Sequence, residues 1–358
     1  MSHRAVIAAI VLVGLASYLL YWPVPIAPVA WRPSPNPGLT GPFARSAGFT
    51  ALRQVTPDIG EGPEEVTRGP DGFFYTGLQD GRIMRFRPDG EAEATPVVQT
   101  GGRPLGLQFD AQGHLIVADA FRGLLAMAPD RTIVALVETV DGQRLRFPNA
   151  LDIAGDGAVW FSDASQRFNQ HQWRYDFWEG RATGRLLRYD PHTHRTAVRL
   201  ADLRFANGVA LGPDDAFVLV NETLATRIHR LWLKGPKAGT RDIFVDGLPA
   251  YPDNLSYNGR GLFWVALAAP RVEALDQLAS YPWLRKVLFR LPDVITDVKP
   301  WPVTWVIGVD VEGRVRHHLR EVSGGYGNVT SVREFDGDLW LGSLFGRSVA
   351  RAQAPPGL

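Results

Sequence analysis

The chain of 358 residues contains no cysteine. Disulfides, thiolate metal sites and thiol catalysis are thereby excluded, and the redox compartment has to be read from other features. Lysine is scarce too, confined to positions 234, 237, 286 and 299, an arginine-heavy bias that carries no functional weight. No field of one sign exists: 38 basic and 37 acidic residues are dispersed along the chain for a net charge of +1, which argues against nucleic-acid binding.

One long apolar run is present. Residues Ala5 to Trp22 are uncharged over 18 positions, preceded by His3 and Arg4 and closed by Tyr21 and Trp22, long enough to span a bilayer with aromatic residues at its interface. A cleaved signal peptide is the competing reading, but the cleavage site is poor, since Pro28 falls at −3 if Ala30 is −1. An uncleaved anchor over residues 1–22 is therefore expected. Arg4 directs the body of the protein to the extracytoplasmic or periplasmic side. Seven prolines between Pro23 and Pro42 then make residues 23–49 a stiff, extended spacer.

The whole chain is 45% hydrophobic, with 11 Trp and 18 Phe, enough to bury a large core as one β-rich domain. Six times a tight-turn signal is followed at once by an aromatic and β-branched run: Asp71-Gly72, Gln112-Gly113, Asp156-Gly157, Asp214-Asp215, Gly259-Arg260 and Asp336-Gly337. The turn residues suit hairpins and the runs suit half-buried strands. The runs begin at Phe73, Leu115, Val159, Phe217, Leu262 and Leu339, spaced by 42, 44, 58, 45 and 77 residues. That is close to a four-stranded propeller blade, with two stretched intervals. The fold expected is all-β, a six-bladed β-propeller over residues 50–358, with function at the mouth of its central channel.

Two insertions account for the stretched intervals. Residues Ser165 to Thr183 are aromatic and polar, as in binding loops and lids; Trp173, Tyr175 and Phe177 would shape an apolar pocket there. Between Pro270 and Trp305, in blade five, two helical stretches are split by Pro282. Trp283, Leu284 and Phe289 among Arg285, Lys286 and Arg290 suit either a membrane-surface contact or a helix packed on the outside of the blade.

Oxygen-bearing side chains stand ahead of four hairpins in similar settings: Glu64 in GPEEV, Asn149 in FPNAL, Asn207 in FANGV and Asp253 in YPDNL. Each belongs on or just before the innermost strand of its blade, facing the axis. Two carboxylates and two amides suit calcium, with backbone carbonyls, water or substrate completing the shell, and the lack of His or Cys argues against zinc or copper.

With GPEEV, RFPNALDI with VWFSDASQRF, RFANGVAL, ETLATRIHRLWLKGPKAG, YPDNLS and DGDLWLGSLFGRSVA on the page, the chain resembles the calcium-binding six-bladed propellers that include gluconolactonase, paraoxonase and strictosidine synthase. The resemblance covers residues 50–353 and is nearest to the strictosidine synthase-like branch with the adipocyte plasma membrane-associated protein. It implies a calcium ion held by Glu64, Asn149, Asn207 and Asp253, with the Leu107 carbonyl as a further ligand. The departures bear on the reaction. Leu105 stands where paraoxonase-like members place a catalytic histidine, and Thr330 stands where strictosidine synthase carries its catalytic glutamate, which argues against the synthase condensation.

The function expected is calcium-dependent hydrolysis of a small-molecule ester or lactone, with Asp253 as base or nucleophile. Asn254, Glu222 and His171 are weaker catalytic candidates. The alternative is a non-catalytic, membrane-tethered propeller that binds a ligand or partner and keeps calcium as a structural pin.

Overall fold

A computed structural model describes residues 2–90, 95–296, 302–322 and 325–356; residues 297–301, the end of the expected helical insertion, lie outside them. Among the described residues the strands form six four-stranded antiparallel sheets, joined by a small two-stranded ribbon between blades 2 and 3. The inner strands are Val66–Arg68, Pro104–Phe109, Pro148–Ile153, Ala206–Leu211, Ala250–Tyr257 and Val329–Phe335. Each touches the next, and the last returns to the first, so the sheets close into the six-bladed propeller that the repeat implies.

The six turn signals all join an inner strand to the second strand of its blade. Gly72, Gly113, Gly157 and Gly337 adopt φ of 82°, 84°, 81° and 83° there, and Asp214 and Asp215 both adopt 52°, left-handed geometry that glycine accepts freely and aspartate tolerates. Blade 6 closes the ring in a way no local pattern announces: Thr50–Gln54 pairs with Ala350–Gln353 at the other end of the chain, with Gln54 opposite Ala350. Apolar clusters fill the spaces between neighbouring blades. Between blades 6 and 1, Phe74 stacks on Trp340 at 4.1 Å between ring centroids, and between blades 4 and 5 Phe217, Phe244 and Phe263 pack together.

Every inner strand starts at the same end of the channel. In an antiparallel blade the second strand returns to that end, so the connection to the third strand lies there too. Blades 3 and 5 extend this connection. Blade 3 carries helix α2 (Trp173–Glu179), and blade 5 carries α3 (Glu273–Leu278), α4 (Pro282–Phe289) and α5 (Asp293–Thr296). Both insertions therefore crown the mouth where the candidate oxygens begin.

Helix α1 (His3–Tyr21) stands outside the propeller with no buried residue, and among the described residues it is the one helix long and apolar enough to cross a membrane. The proline-rich segment after it is extended, as its composition predicts, but it is strapped to the propeller rather than held clear of it. Ile26 is buried, the Val29 and Trp31 amides donate to the Glu179 and Ala279 carbonyls at 3.1 Å each, and Arg271 donates to the Ser34 carbonyl at 2.8 Å. Extended proline segments offer free carbonyls along their length, and the mouth residues use them.

Candidate functional site

Bulges aim the candidate ligands. Register shifts interrupt the pairing of five inner strands with their neighbours: between Pro104 and Gly106, Pro148 and Leu151, Ala206 and Val209, Pro252 and Leu255, and Val329 and Val332. A bulge releases residues from the ladder and turns their side chains. Asn149, Asn207, Asp253, Asn254 and Thr330 all fall inside these interruptions. Glu64 precedes the short inner strand of blade 1 and is tied in by its amide, which donates to the Gly77 carbonyl at 3.2 Å. Neighbouring blades approach so closely that a side chain at Gly208 would meet the Asp253 carbonyl at 2.5 Å, and one at Gly342 the Glu64 carbonyl at 2.2 Å.

The four predicted residues are buried, and Asp253 lies within reach of both Glu64 and Asn207. Burial first, and then the Glu64 carboxylate, push Asp253 well above the usual carboxylate range, against a hydrogen bond from Asn207. Glu64 is itself pushed up by burial, opposed by Arg103. The Arg103 guanidinium, 1% exposed, donates to Glu64 Oε2 at 2.8 Å; no such partner was expected from the sequence. Among the described residues no cationic side chain pairs with Asp253. The Oδ1 atoms of Asn149 and Asn207 are buried without a hydrogen-bond partner, as are both side-chain polar atoms of Asn254. Buried amide oxygens with no donor are costly. A hard, oxygen-seeking cation fits this donor set: it would satisfy both orphan oxygens and relieve the repulsion between the two carboxylates.

The backbone around the ligands is braced. Thr330 Oγ1 donates to the Glu64 carbonyl at 2.7 Å, and Asn221 Nδ2 donates to the Asp253 carbonyl at 2.5 Å. On the side away from the mouth, Arg333 of blade 6 reaches Glu65 of blade 1 at 3.1 Å and Gln108 of blade 2 at 3.5 Å. This crosslink ties blades 6, 1 and 2 together across the channel.

At the mouth, the apolar residues two positions before three ligands, Phe147, Phe205 and Tyr251, join Leu105 and Leu224 in a collar. Phe177 of α2 caps it, 5.2 Å from Phe205 and 5.6 Å from Tyr251 between ring centroids, and Trp173 and Trp31 pack alongside. The segment expected as a lid or binding loop covers this collar, and the proline strap holds it down. Glu179 at the end of α2 accepts from the Ala27 amide at 2.7 Å, from Arg167 at 2.5 Å and from Arg181 at 3.2 Å, while Arg285 of α4 donates to the Trp178 and Glu179 carbonyls at 3.1 Å each.

Two of the three weaker catalytic candidates lie elsewhere. Glu222 accepts from Arg227 at 2.6 Å, His229 at 2.7 Å and the Arg204 amide at 2.9 Å; against its burial, His229 and Arg227 hold its carboxyl down at about 2, so it is a brace with no basicity to spare. His171 is exposed, its ring 4.7 Å from Phe121. Asn254 stays in the cluster. The brace had a signal in the sequence: Asp119 and Asp163 end the second strands of blades 2 and 3 as Glu222 ends that of blade 4, and they likewise accept the amides of Arg103 and Phe147 at 3.0 and 2.9 Å.

Comparison with known proteins gives the same architecture. The strictosidine synthase family model matches residues 149–236, and the strictosidine synthase-like N-terminal model matches residues 41–86. The Arabidopsis thaliana protein Strictosidine synthase-like 6 is 34% identical over 296 residues, covering 81% of this chain and 78% of its own. The chain belongs to the strictosidine synthase-like family. Within it, the adipocyte plasma membrane-associated protein of Salmo salar is 34% identical over 346 residues, covering 89% of this chain and 82% of its own. Solved structures share the fold: a gluconolactonase from Xanthomonas campestris, with a TM-score of 0.62 at 18% identity over 93% of this chain and 97% of that one, and regucalcin, a calcium-binding protein of Agrobacterium tumefaciens, with a TM-score of 0.61 at 13% identity over 87% of this chain and 97% of that one.

Proposed function

We propose that this family member is a membrane-anchored, calcium-dependent hydrolase of esters or lactones, its propeller on the extracytoplasmic side. The observation that carries the reading is the buried set of Glu64, Asn149, Asn207 and Asp253, with two amide oxygens lacking donors and one carboxylate lacking a cation. Those four side chains would hold the ion, with the Leu107 carbonyl as a further ligand. Calcium, when bound, supplies a Lewis acid that polarises a carbonyl oxygen. The names of a gluconolactonase and a calcium-binding protein on the same fold are in line with this, as is a membrane-associated relative.

The remaining work falls to the chain's own residues. Asp253 takes a proton from the attacking water as the water oxygen bonds to the acyl carbon, and returns it to the leaving alkoxide as the acyl–oxygen bond breaks. Asn254, whose amide has no protein partner, orients the substrate by hydrogen bonding. The aromatic collar and Phe177 exclude bulk water and present an apolar wall to the substrate.

A second reading, a propeller that binds without catalysis, is favoured by one observation: Leu105 and Thr330 are buried and contribute neither an acid nor a base. The purified full chain, assayed on a panel of aryl esters and lactones with calcium or with a chelator, separates the two. Hydrolysis that disappears on chelation and returns with calcium supports the hydrolase. Calcium binding without turnover of any panel member supports the binding propeller.

A further inference from the structure

Helix α1 does not leave the propeller at an arbitrary point. Arg290, just after α4, donates from Nε to the Trp22 carbonyl at 2.6 Å and from Nη1 to the Leu19 carbonyl at 2.9 Å. The Tyr18 hydroxyl donates back to the Arg290 carbonyl at 3.0 Å. Arg290 thus satisfies carbonyls that the last turn of α1 leaves without helical partners, and it joins the exit of α1 to α4. The other side of α4 holds to the body through Arg285, which is 1% exposed and bonded to the lid and to Ala279.

With one face clamped, α4 turns large aromatic residues outward beside the end of α1. Trp283, in the first turn of α4, is 63% exposed and Tyr281, its N-cap, 53%, while at the end of α1, bonded to the other end of α4 through Arg290, Tyr21 is 80% and Trp22 61% exposed; Lys286 lies on the same short helix. Exposed aromatic residues at the end of an apolar helix and on the short helix bonded to it match the composition of a membrane–water interface, where amphipathic rings sit among headgroups. Solitary exposed hydrophobics need no explanation, but a cluster of this kind marks a contact surface.

We propose that α4 is an interfacial helix that docks on the bilayer crossed by α1, with Trp283 and Tyr281 in the headgroup layer, so that the lidded mouth is held facing the membrane. The partner is the lipid surface itself. The proposal rests on the anchor reading of α1 but not on calcium or hydrolysis. It follows from topology as well: α2, α4 and the strap all lie at the end where the inner strands begin, whereas the Asp336-Gly337 turn lies at the opposite end.

The absence of cysteine makes the test direct. Single variants Ile10→Cys, Trp283→Cys and Asp336→Cys of the full chain are spin-labelled and reconstituted in phosphatidylcholine–phosphatidylglycerol bilayers, and collision with dissolved oxygen and with a water-soluble nickel complex is compared. The label at position 10 should be oxygen-accessible and shielded from nickel, the label at 283 should lie at headgroup depth with nickel collisions reduced several-fold from those at 336, and the label at 336 should be fully aqueous. A label at 283 as nickel-accessible as that at 336, with the label at 10 in the hydrocarbon, would overturn the docking while leaving the anchor intact. An aqueous label at position 10 would remove the anchor and the docking together. Unchanged circular dichroism of the Trp283→Cys protein confirms that the comparison is made on folded chains.

Discussion

The guanidinium of Arg103 is bonded to Glu64 inside the channel, 2.8 Å from Oε2, with both side chains almost wholly shielded from water. Arg103 also donates to the Gly62 carbonyl at 2.9 Å, so it ties blade 2 to the loop that carries the first candidate ligand. It takes one carboxylate oxygen of Glu64 and leaves the other for a cation.

Replacing Arg103 by methionine leaves that carboxylate buried and uncompensated, a loss of about 3–5 kcal/mol in the metal-free protein. Calcium then has both oxygens to bind. The gain in melting temperature on adding calcium should therefore be larger for Arg103→Met than for the parent protein, as thermal denaturation with and without the ion will show. An equal or smaller gain would mean that Glu64 serves Arg103 and not a metal.

Asp253→Asn and Glu64→Gln remove the same charge from the two acidic members of the set. Asp253→Asn also removes the proposed base, so turnover at saturating calcium should fall about 10²-fold or more. Glu64→Gln should mainly weaken calcium affinity. Equal losses of turnover would make Asp253 a ligand only.

Glu179 joins the lid to the strap. In Glu179→Gln the bonds to Arg167, Arg181 and the Ala27 amide are weakened, and since both arginines are partly open to water the cost is modest, about 1–3 kcal/mol. Hydrogen exchange should quicken in α2 and in residues 26–31 together, while the inner strands keep their protection. Quickening confined to α2 would separate the lid from the strap.

Asp176, on the buried face of α2, gives the lid a dependence on pH. Burial first, and the Glu179 charge after it, raise its carboxyl to about 7, against the Ser165 hydrogen bond and Arg167. A carboxyl raised on folding contributes stability that is complete below its unfolded value near 3.8 and is lost as pH rises through about 7. Exchange in α2 should be faster at about pH 8.5 than at about pH 5.5 after correction for intrinsic rates, and Asp176→Asn should flatten the difference.

Much of the fold was legible because a propeller repeats its own instructions. Asp71-Gly72 before FFYTG and Asp156-Gly157 before AVWFSD each specify a hairpin locally, and Glu64, Asn149, Asn207 and Asp253 each stand a few residues ahead of such a hairpin. What was not legible depends on distance. Nothing near Thr50 points to Gln353, its partner across the ring closure, and nothing near Glu64 points to Arg103. The strap read as a free spacer because proline content reports stiffness and not what the free carbonyls bind. Glu222 read as chemistry because its partners Arg227 and His229 sit on the next strand of the same blade, where alternation in sequence does not reveal which side chains meet.

The central claim is that four oxygens from four blades form one calcium site. Metal analysis of the purified full chain after dialysis against trace calcium, repeated on the Asn149→Leu/Asn207→Leu double variant, tests it most directly. One calcium per chain in the parent, and none in a variant that still folds, is the predicted result. Zinc in its place, or a parent chain that binds no metal and melts at the same temperature with and without calcium, would contradict it.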